Sequence, residues 1–343
     1  MNKNQSHFNT KAWTWRGEKA LTGRNERQIG HNRLMSSKPP TRPDWKLLLR
    51  MTRPGFLTIT AVACLLGIAS AASSNGSTDW RLALLTLVLA LAAHAGANVL
   101  NDYHDALNGA DAANQGGLFP FTGGSRLIQQ GQVTPEQTRA LAWGLLAGVA
   151  LGGLLLAWVT GGGLLLLGLA GLALGWAYSA PPLKLMSRGL GELAVALAWG
   201  LIVVGADQVQ RRDWLLLPGV AAFGFALLMA NILLINGYPD AASDAAVGKR
   251  TLVVRLGARA SARLYLLMAL LAHGWVVGAA WLGWLPAPAL AGLASLPLSL
   301  AASGLLWQRA DRPSTLQPAI LLTIAAGTVH GLGLAAGLAW VAG

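Results

Sequence analysis

Cysteine and charged residues are scarce in this sequence. Its single cysteine, Cys64, lies inside an apolar run, which excludes both a disulfide within the chain and a metal site built from cysteines. Charged residues account for 12% of the 343 residues, against 54% that are hydrophobic, whereas soluble domains average about 25% charged residues. The composition therefore excludes an ordinary soluble domain and predicts a membrane protein.

Apolar runs of the length that an α-helix needs to cross a bilayer recur along the chain. Nine of them can be recognised, at 56–73, 80–100, 141–159, 163–178, 190–206, 214–235, 264–284, 287–307 and 319–341. They predict an all-α, polytopic membrane protein with nine transmembrane helices. Residues 1–44 have no apolar periodicity and are predicted to form a disordered basic extension, so the membrane domain would comprise residues 45–343.

Basic residues outnumber acidic ones by 26 to 14, and their distribution indicates membrane orientation rather than nucleic-acid binding. On the side of the odd-numbered loops the only basic residues are Arg81, Arg211 and Arg212. We interpret the loop formed by Asp207, Arg211, Arg212 and Asp213 as exterior and solvated. Because cytoplasmic loops are enriched in Lys and Arg, the amino-terminal segment and the even-numbered loops should be cytoplasmic, with the carboxyl terminus outside. The predicted location is the inner (plasma) membrane, with no nucleic-acid partner and no obligate protein partner.

Two acidic segments each follow an apolar run, both on the predicted cytoplasmic side. Asp102 and Asp105, three residues apart, would share one helix face, as would Asp240 and Asp244, which are four apart. Carboxylates at the end of a membrane helix are costly unless they serve a cavity or a site. The two segments therefore suggest one shared site for Mg²⁺, which prefers oxygen ligands, and for a polyanion. The roles of Asp111 and His104 are left open.

Basic segments accompany the acidic ones. Gly123-Gly124-Ser125-Arg126 could present backbone N–H groups and a guanidinium to phosphate oxygens. Pro181 and Pro182 are expected to stop a helix, which leaves Lys184 near the membrane face, either in the site or as a membrane anchor. Lys249 and Arg250 follow the second acidic segment within two helical turns.

Together these segments resemble the signatures of the UbiA-type intramembrane prenyltransferases. The matching stretches read N-D-Y-H-D-(x5)-D, Y-S-A-P-P-L-K and Y-P-D-A-A-S-D-A-A-V-G-K-R-T-L. The resemblance covers about residues 45–343 and is closest to the branch that prenylates 1,4-dihydroxy-2-naphthoate for menaquinone. It implies nine helices around a cavity that opens to the cytoplasm. It also implies a Mg²⁺-dependent transfer of a polyprenyl group from a polyprenyl diphosphate to an aromatic acceptor.

The resemblance also implies roles for individual residues. The catalytic and metal-binding residues would be Asp102, Asp105, Asp240 and Asp244. The residues that bind the diphosphate would be Asn98, Arg126, Tyr178, Lys184, Lys249 and Arg250. Such a clamp suits the chemistry, because Mg²⁺ and cations neutralise the leaving diphosphate and a dry cavity protects the allylic cation from water.

Other functions remain open at this stage. Within the same class, the acceptor could be 4-hydroxybenzoate, homogentisate, chlorophyllide or haem. An ion-coupled secondary transporter is the alternative from another class, although its acids would lie near the midplane rather than at one face. The sequence does not contain the D-G-x(2)-A-R-x(8)-G-x(3)-D-x(3)-D pattern of the CDP-alcohol phosphotransferases.

Overall fold

The computed structural model describes residues 43 to 342, and this part of the chain contains helices but no β-strand. Nine helices account for most of it: α1 Pro54–Asn75, α2 Trp80–Asn108, α3 Pro135–Thr160, α4 Gly163–Ser179, α5 Gly191–Arg211, α6 Leu217–Ala246, α7 Ala258–Trp281, α8 Ala287–Arg309 and α9 Gln317–Ala342. Eight are long and apolar enough to cross a membrane, and α4 is a shorter apolar helix. The prediction of an all-α polytopic membrane protein is confirmed.

Three short α-helices accompany these long ones: Trp45–Met51 before α1, Ala110–Ala113 between α2 and α3, and Leu252–Leu256 between α6 and α7. The first residues of α8 form a 3₁₀ segment, Ala287–Ser295, before the α-helix begins. The predicted disordered extension lies outside the described residues except for Pro43 and Asp44, and it stays a prediction.

Local sequence determines where several helices begin and end. Asp79 accepts hydrogen bonds from two backbone N–H groups in the first turn of α2, which satisfies donors that a helix leaves unpaired. Thr134 and Gln137 form a capping box at the start of α3. Gly109, with a φ of +83°, ends α2 at the turn that the Asn108-Gly109 pair predicts.

Helix α6 lies at the centre of the fold. Phe225, Leu228 and Met229 are buried in its middle, within the largest apolar cluster. Since a helix that is apolar all round can be buried on every side, α6 can contact α1, α5, α7 and α9 together. Its carboxyl end therefore brings the second acidic segment into the interior of the bundle.

Glycines permit backbone contact between α8 and α9. A Cβ atom on Gly333 would lie 2.5 Å from the carbonyl oxygen of Ala291, and one on Gly337 would lie 2.2 Å from that of Pro288. Close approach through small residues is the usual way in which membrane helices associate. The 3₁₀ segment of α8 can therefore pack directly on α9.

The structure corrects the interpretation of Asp207 and Arg211 as solvated. Asp207 is 1% exposed and lies within α5, where both of its oxygens accept hydrogen bonds from Arg211 at 2.8 and 2.9 Å. Arg211 also donates to the carbonyl oxygen of Ser70 at 2.7 Å. The spacing of i and i+4 on one helix allows this pairing, and it needs no exposed loop. Arg212 and Asp213 are exposed, as expected.

Candidate active site

All four predicted aspartates lie on helices rather than in loops. Helix α2 continues beyond its apolar run to Asn108, and α6 continues through Pro239 to Ala246. The apolar run 80–100 therefore belongs to a helix that continues for about two further turns. Because these helix extensions are rigid, they hold the carboxylates at fixed positions against each other.

Lys249 joins the two acidic segments. Its Nζ lies 2.9 Å from Oδ2 of Asp105 on α2 and 3.3 Å from Oδ1 of Asp244 on α6. All three side chains are buried. Burial alone would lower the pKa of Lys249, but the two carboxylates together raise it above its ordinary value. Lys249 is therefore a fixed positive charge between segments about 140 residues apart in sequence.

The loop between α2 and α3 donates hydrogen bonds to the other two aspartates. Asp240 accepts hydrogen bonds from Nδ2 of Asn114 at 2.7 Å and from the backbone N–H of Gly123 at 3.0 Å. Asp102 accepts one from the backbone N–H of Ser125 at 3.0 Å. Gly123 and Ser125 thus donate their backbone N–H groups to carboxylates of the protein, whereas the sequence suggested phosphate oxygens as the acceptors of this stretch.

A cavity of about 110 Å³ lies between these segments. It is lined by three of the four predicted aspartates, Asp105, Asp240 and Asp244, and also by Tyr178 and Lys249. Asp102 is not among the lining residues. It is buried behind Gly124, with its Oδ1 3.9 Å from Nη1 of Arg53.

Asp111, whose role the sequence left open, is buried and lines the same cavity. Its Oδ2 accepts a hydrogen bond from Nε2 of Gln129 at 3.3 Å. Burial, followed by the nearby charges of Asp105 and Asp102, raises the pKa of Asp111 to about 8. A fifth carboxyl group therefore belongs to this cluster.

Three of the cations predicted to bind the diphosphate do not line the cavity. Arg126 donates hydrogen bonds to the carbonyl oxygens of Asp111 and Asn114 and lies over the ring of Phe119, so it stabilises the loop. Lys184 and Arg250 are not among the residues that line the cavity; the backbone N–H of Arg250 is bonded elsewhere and its side chain is exposed.

Arg53 supplies the second cation of the cavity. It adopts a left-handed conformation, φ +57°, at the start of α1, and its Nε is buried without a hydrogen-bond partner. Asn98 does not line the cavity; its Nδ2 donates to the carbonyl oxygen of Thr52 at 3.2 Å. Asn98 therefore supports the turn that presents Arg53.

Several cavity residues have no role predicted from the sequence. Asn114, Asn236 and Glu192 all line the cavity. For Glu192 a signal was present, because a carboxylate at the start of an apolar run is unusual. Asn114 carries no such signal, since it lies in a polar loop whose path only the tertiary structure defines.

Gly124 gives a prediction about stability. Its φ is +72°, and an added Cβ would lie 3.0 Å from Oδ1 of Asp102 and 3.1 Å from Oδ2 of Asp111. We expect Gly124→Ala to cost about 1–2 kcal/mol from the left-handed backbone alone, and to lower the midpoint of thermal unfolding in detergent by a few degrees. Gly116→Ala is the matched control in the same loop, because nothing lies within 4 Å of its Cβ position. Equal midpoints for the two variants would contradict the prediction.

Comparison with known proteins shows the family to which the chain belongs. The UbiA prenyltransferase family matches residues 60–325. The 1,4-dihydroxy-2-naphthoate octaprenyltransferase of Mycobacterium tuberculosis is 32% identical over 256 residues, which cover 74% of this chain and 83% of that protein. The 2-carboxy-1,4-naphthoquinone phytyltransferase of Synechocystis is 27% identical over 310 residues, covering 89% and 96% of the two chains.

A solved structure shows the same fold. It is that of a UbiA homolog from Archaeoglobus fulgidus bound to GPP and Mg²⁺, with a TM-score of 0.60 at 18% identity, covering 86% of this chain and 99% of that one. At this identity the likeness concerns the fold alone, whereas the family match spans most of the chain. The chain therefore belongs to the UbiA prenyltransferase family, as its three signature segments predict, and it is a prenyltransferase of the membrane.

Proposed function

We propose that this protein transfers a polyprenyl group from a polyprenyl diphosphate to 1,4-dihydroxy-2-naphthoate, a step of menaquinone synthesis. The observation that carries the proposal is the convergence of two acidic helix ends on one cavity that also contains two cations, Lys249 and Arg53. Such a cavity suits a diphosphate, because cations and metal-bridged carboxylates both neutralise it. The naphthoate acceptor is supported by the names of relatives that match most of the chain.

The carboxylates suit Mg²⁺ held jointly with a phosphate ligand. Among residues 43 to 342, no three His, Cys, Asp or Glu side chains come close enough to hold one ion by themselves. Mg²⁺ is usually bound by one or two carboxylates, with waters and substrate phosphates completing its coordination. Oδ1 of Asp102 is buried with no hydrogen-bond donor, and Nη1 of Arg53 at 3.9 Å is too far away to donate one, so this oxygen can still accept a cation. Asp102, Asp105, Asp240 and Asp244 would hold the metal.

Bound Mg²⁺ would neutralise the charge that develops on the leaving diphosphate. The protein's own residues supply further positive charge and exclude water. Lys249 and Arg53 add positive charge that is already in position, which costs no reorganisation during the reaction. Leu233, Phe121 and Met186 form apolar parts of the wall. Such a wall excludes water, which would otherwise trap the allylic cation.

The proposal predicts a metal-dependent transfer with a preference among acceptors. Membranes that contain the protein are incubated with labelled polyprenyl diphosphate and a panel of acceptors: 1,4-dihydroxy-2-naphthoate, 4-hydroxybenzoate, homogentisate, chlorophyllide and haem. We expect the naphthoate to be prenylated, the rate to fall at least tenfold in excess chelator, and Mg²⁺ to restore it, because the carboxylates cannot neutralise a diphosphate themselves. Transfer to a different acceptor would overturn the naphthoate assignment, and full turnover in chelator would overturn the metal site.

We also propose that the cavity faces the cytoplasm and that the carboxyl terminus lies outside. The charge distribution supports this orientation, because the acidic helix ends and the basic loops lie on the side that membrane proteins keep inside. A reporter fused after Gly343 should therefore indicate a location outside the cytoplasm, and one inserted after Gly116 should indicate a cytoplasmic location. A cytoplasmic signal from the first fusion would contradict the orientation.

A further inference from the structure

One carboxylate in the cavity belongs to neither acidic segment. Glu192 lies in the first turn of α5, is 8% exposed and lines the cavity together with Met186 and Leu233. In the part of the chain that the structure describes, the five ion pairs leave Glu192 without a cation, and no other side chain donates a hydrogen bond to it. A helix amino terminus favours its negative charge.

A buried carboxylate without a cation is costly unless a ligand supplies a partner. Asn236 provides another acceptor on the cavity wall, because its Oδ1 is buried without a hydrogen-bond donor. Asn236 precedes Asp240 by one helical turn on α6, so it lies next to the acidic cluster. These two acceptors, beside the apolar side chains of Met186 and Leu233, suit a planar aromatic molecule that carries hydroxyl groups.

We infer that Glu192 accepts the proton of a phenolic hydroxyl on the aromatic acceptor and is the general base of the transfer. The inference rests on the proposed function, since it names the residue that activates the acceptor of that reaction. It assigns a role to a residue outside both acidic segments. Asn236 would accept a hydrogen bond from a second polar group of the same ring.

The step balances in atoms and electrons. The hydroxyl proton moves to Glu192, and the resulting phenolate makes the neighbouring ring carbon electron-rich. This carbon forms a bond to the allylic carbon of the donor, whose carbon–oxygen bond breaks with its electron pair leaving on the diphosphate. The former phenolate oxygen is then a carbonyl. The proton on the ring carbon then passes to the departing diphosphate, or a carboxylated carbon loses CO₂; either loss restores the aromatic ring, and the oxygen takes its proton back from Glu192.

Glu192→Gln tests this role, because it keeps the size and polarity of the side chain but cannot accept the proton. We expect the rate of prenyl transfer to 1,4-dihydroxy-2-naphthoate to fall about 100-fold, within the range that general-base catalysis contributes. A naphthoate with electron-withdrawing ring substituents, already ionised at the assay pH, should reduce the loss to less than tenfold. Binding of geranyl thiolodiphosphate with Mg²⁺ should stay within twofold of the parent protein.

Glu136→Gln is the matched control, because Glu136 also lies in the first turn of a helix but is exposed. It should leave the rate unchanged. Glu192→Gln within threefold of the parent would overturn the inference, and so would equal losses with both acceptors, which would indicate a structural role. If the unaltered protein transfers to none of the acceptors, the proposed function itself fails, and that result is obtained before any variant is made.

Discussion

Asp240→Asn and Asp244→Asn are each expected to lower the rate of prenyl transfer about 100- to 1000-fold, or roughly 3–4 kcal/mol in the barrier. Each change keeps the size of the side chain and removes one negative charge that would hold Mg²⁺ against the diphosphate. The transition state depends on this charge more than the bound substrate does, because negative charge develops on the leaving group. The rate constant at saturating donor, measured in membranes with labelled donor, is the quantity to compare.

The structure predicts that the two variants differ in thermal stability. Asp240 accepts hydrogen bonds from Asn114 and from the backbone of Gly123, and asparagine can accept only one of these. Asp240→Asn should therefore also lower the thermal midpoint, since a buried donor loses its partner. Asp244 has no such contact with the loop, and after its change Lys249 keeps Asp105 as a partner at 2.9 Å, so the thermal midpoint should fall less than in Asp240→Asn.

Asp213→Asn is the control for both changes. Asp213 is exposed at the other end of the bundle, where its Oδ1 accepts from the backbone of Trp214, so its loss should leave the rate unchanged. Asp207 is unsuitable for this purpose because it is buried against Arg211. Retention of activity within a few-fold by Asp240→Asn and Asp244→Asn would contradict the assignment.

Lys249→Met is expected to abolish measurable transfer and to destabilise the fold. It leaves Asp105 and Asp244 buried without the cation that they share, and breaking a buried pair from one side costs about 3–5 kcal/mol. Methionine occupies a similar volume, so a cavity contributes little to the loss. The free energy of unfolding and the rate of transfer should both fall.

Added Mg²⁺ distinguishes the electrostatic explanation from a packing defect. Because a divalent cation can compensate the two carboxylates, millimolar Mg²⁺ should raise the thermal midpoint of Lys249→Met more than that of the parent protein. Lys46→Met, at an exposed position before α1, should change neither quantity. A Lys249→Met protein as stable and active as the parent would show that Lys249 does not hold the two segments together.

Local features of the sequence predict much of the architecture. The nine apolar runs correspond to α1–α9, and Asn108-Gly109 ends a helix where the turn is predicted. The acidic pairs share helix faces because the spacing of three or four residues is a property of any helix. Their helices extend further than the apolar runs, since polar residues near a membrane face can continue a helix once other segments cover them.

The directions in which the cationic side chains point could not be predicted from local sequence. Arg126, Lys184 and Arg250 have the charge and the sequence positions of diphosphate ligands, yet they do not line the cavity. Arg126 has a φ of +64° and donates to loop carbonyl oxygens. A side chain's direction in a loop depends on the whole path of that loop, which neighbouring sequence does not specify.

The membrane class, the helices and the two pairs of carboxylates follow from local sequence, because apolarity and helical spacing act over a few residues. Which charges face each other depends on the tertiary structure. It placed Lys249 between Asp105 and Asp244, buried Asp207 against Arg211 and brought Glu192 to the cavity wall. These outcomes depend on contacts between segments far apart in the chain, where the free energy of burying a charge is set by the partner that the fold provides.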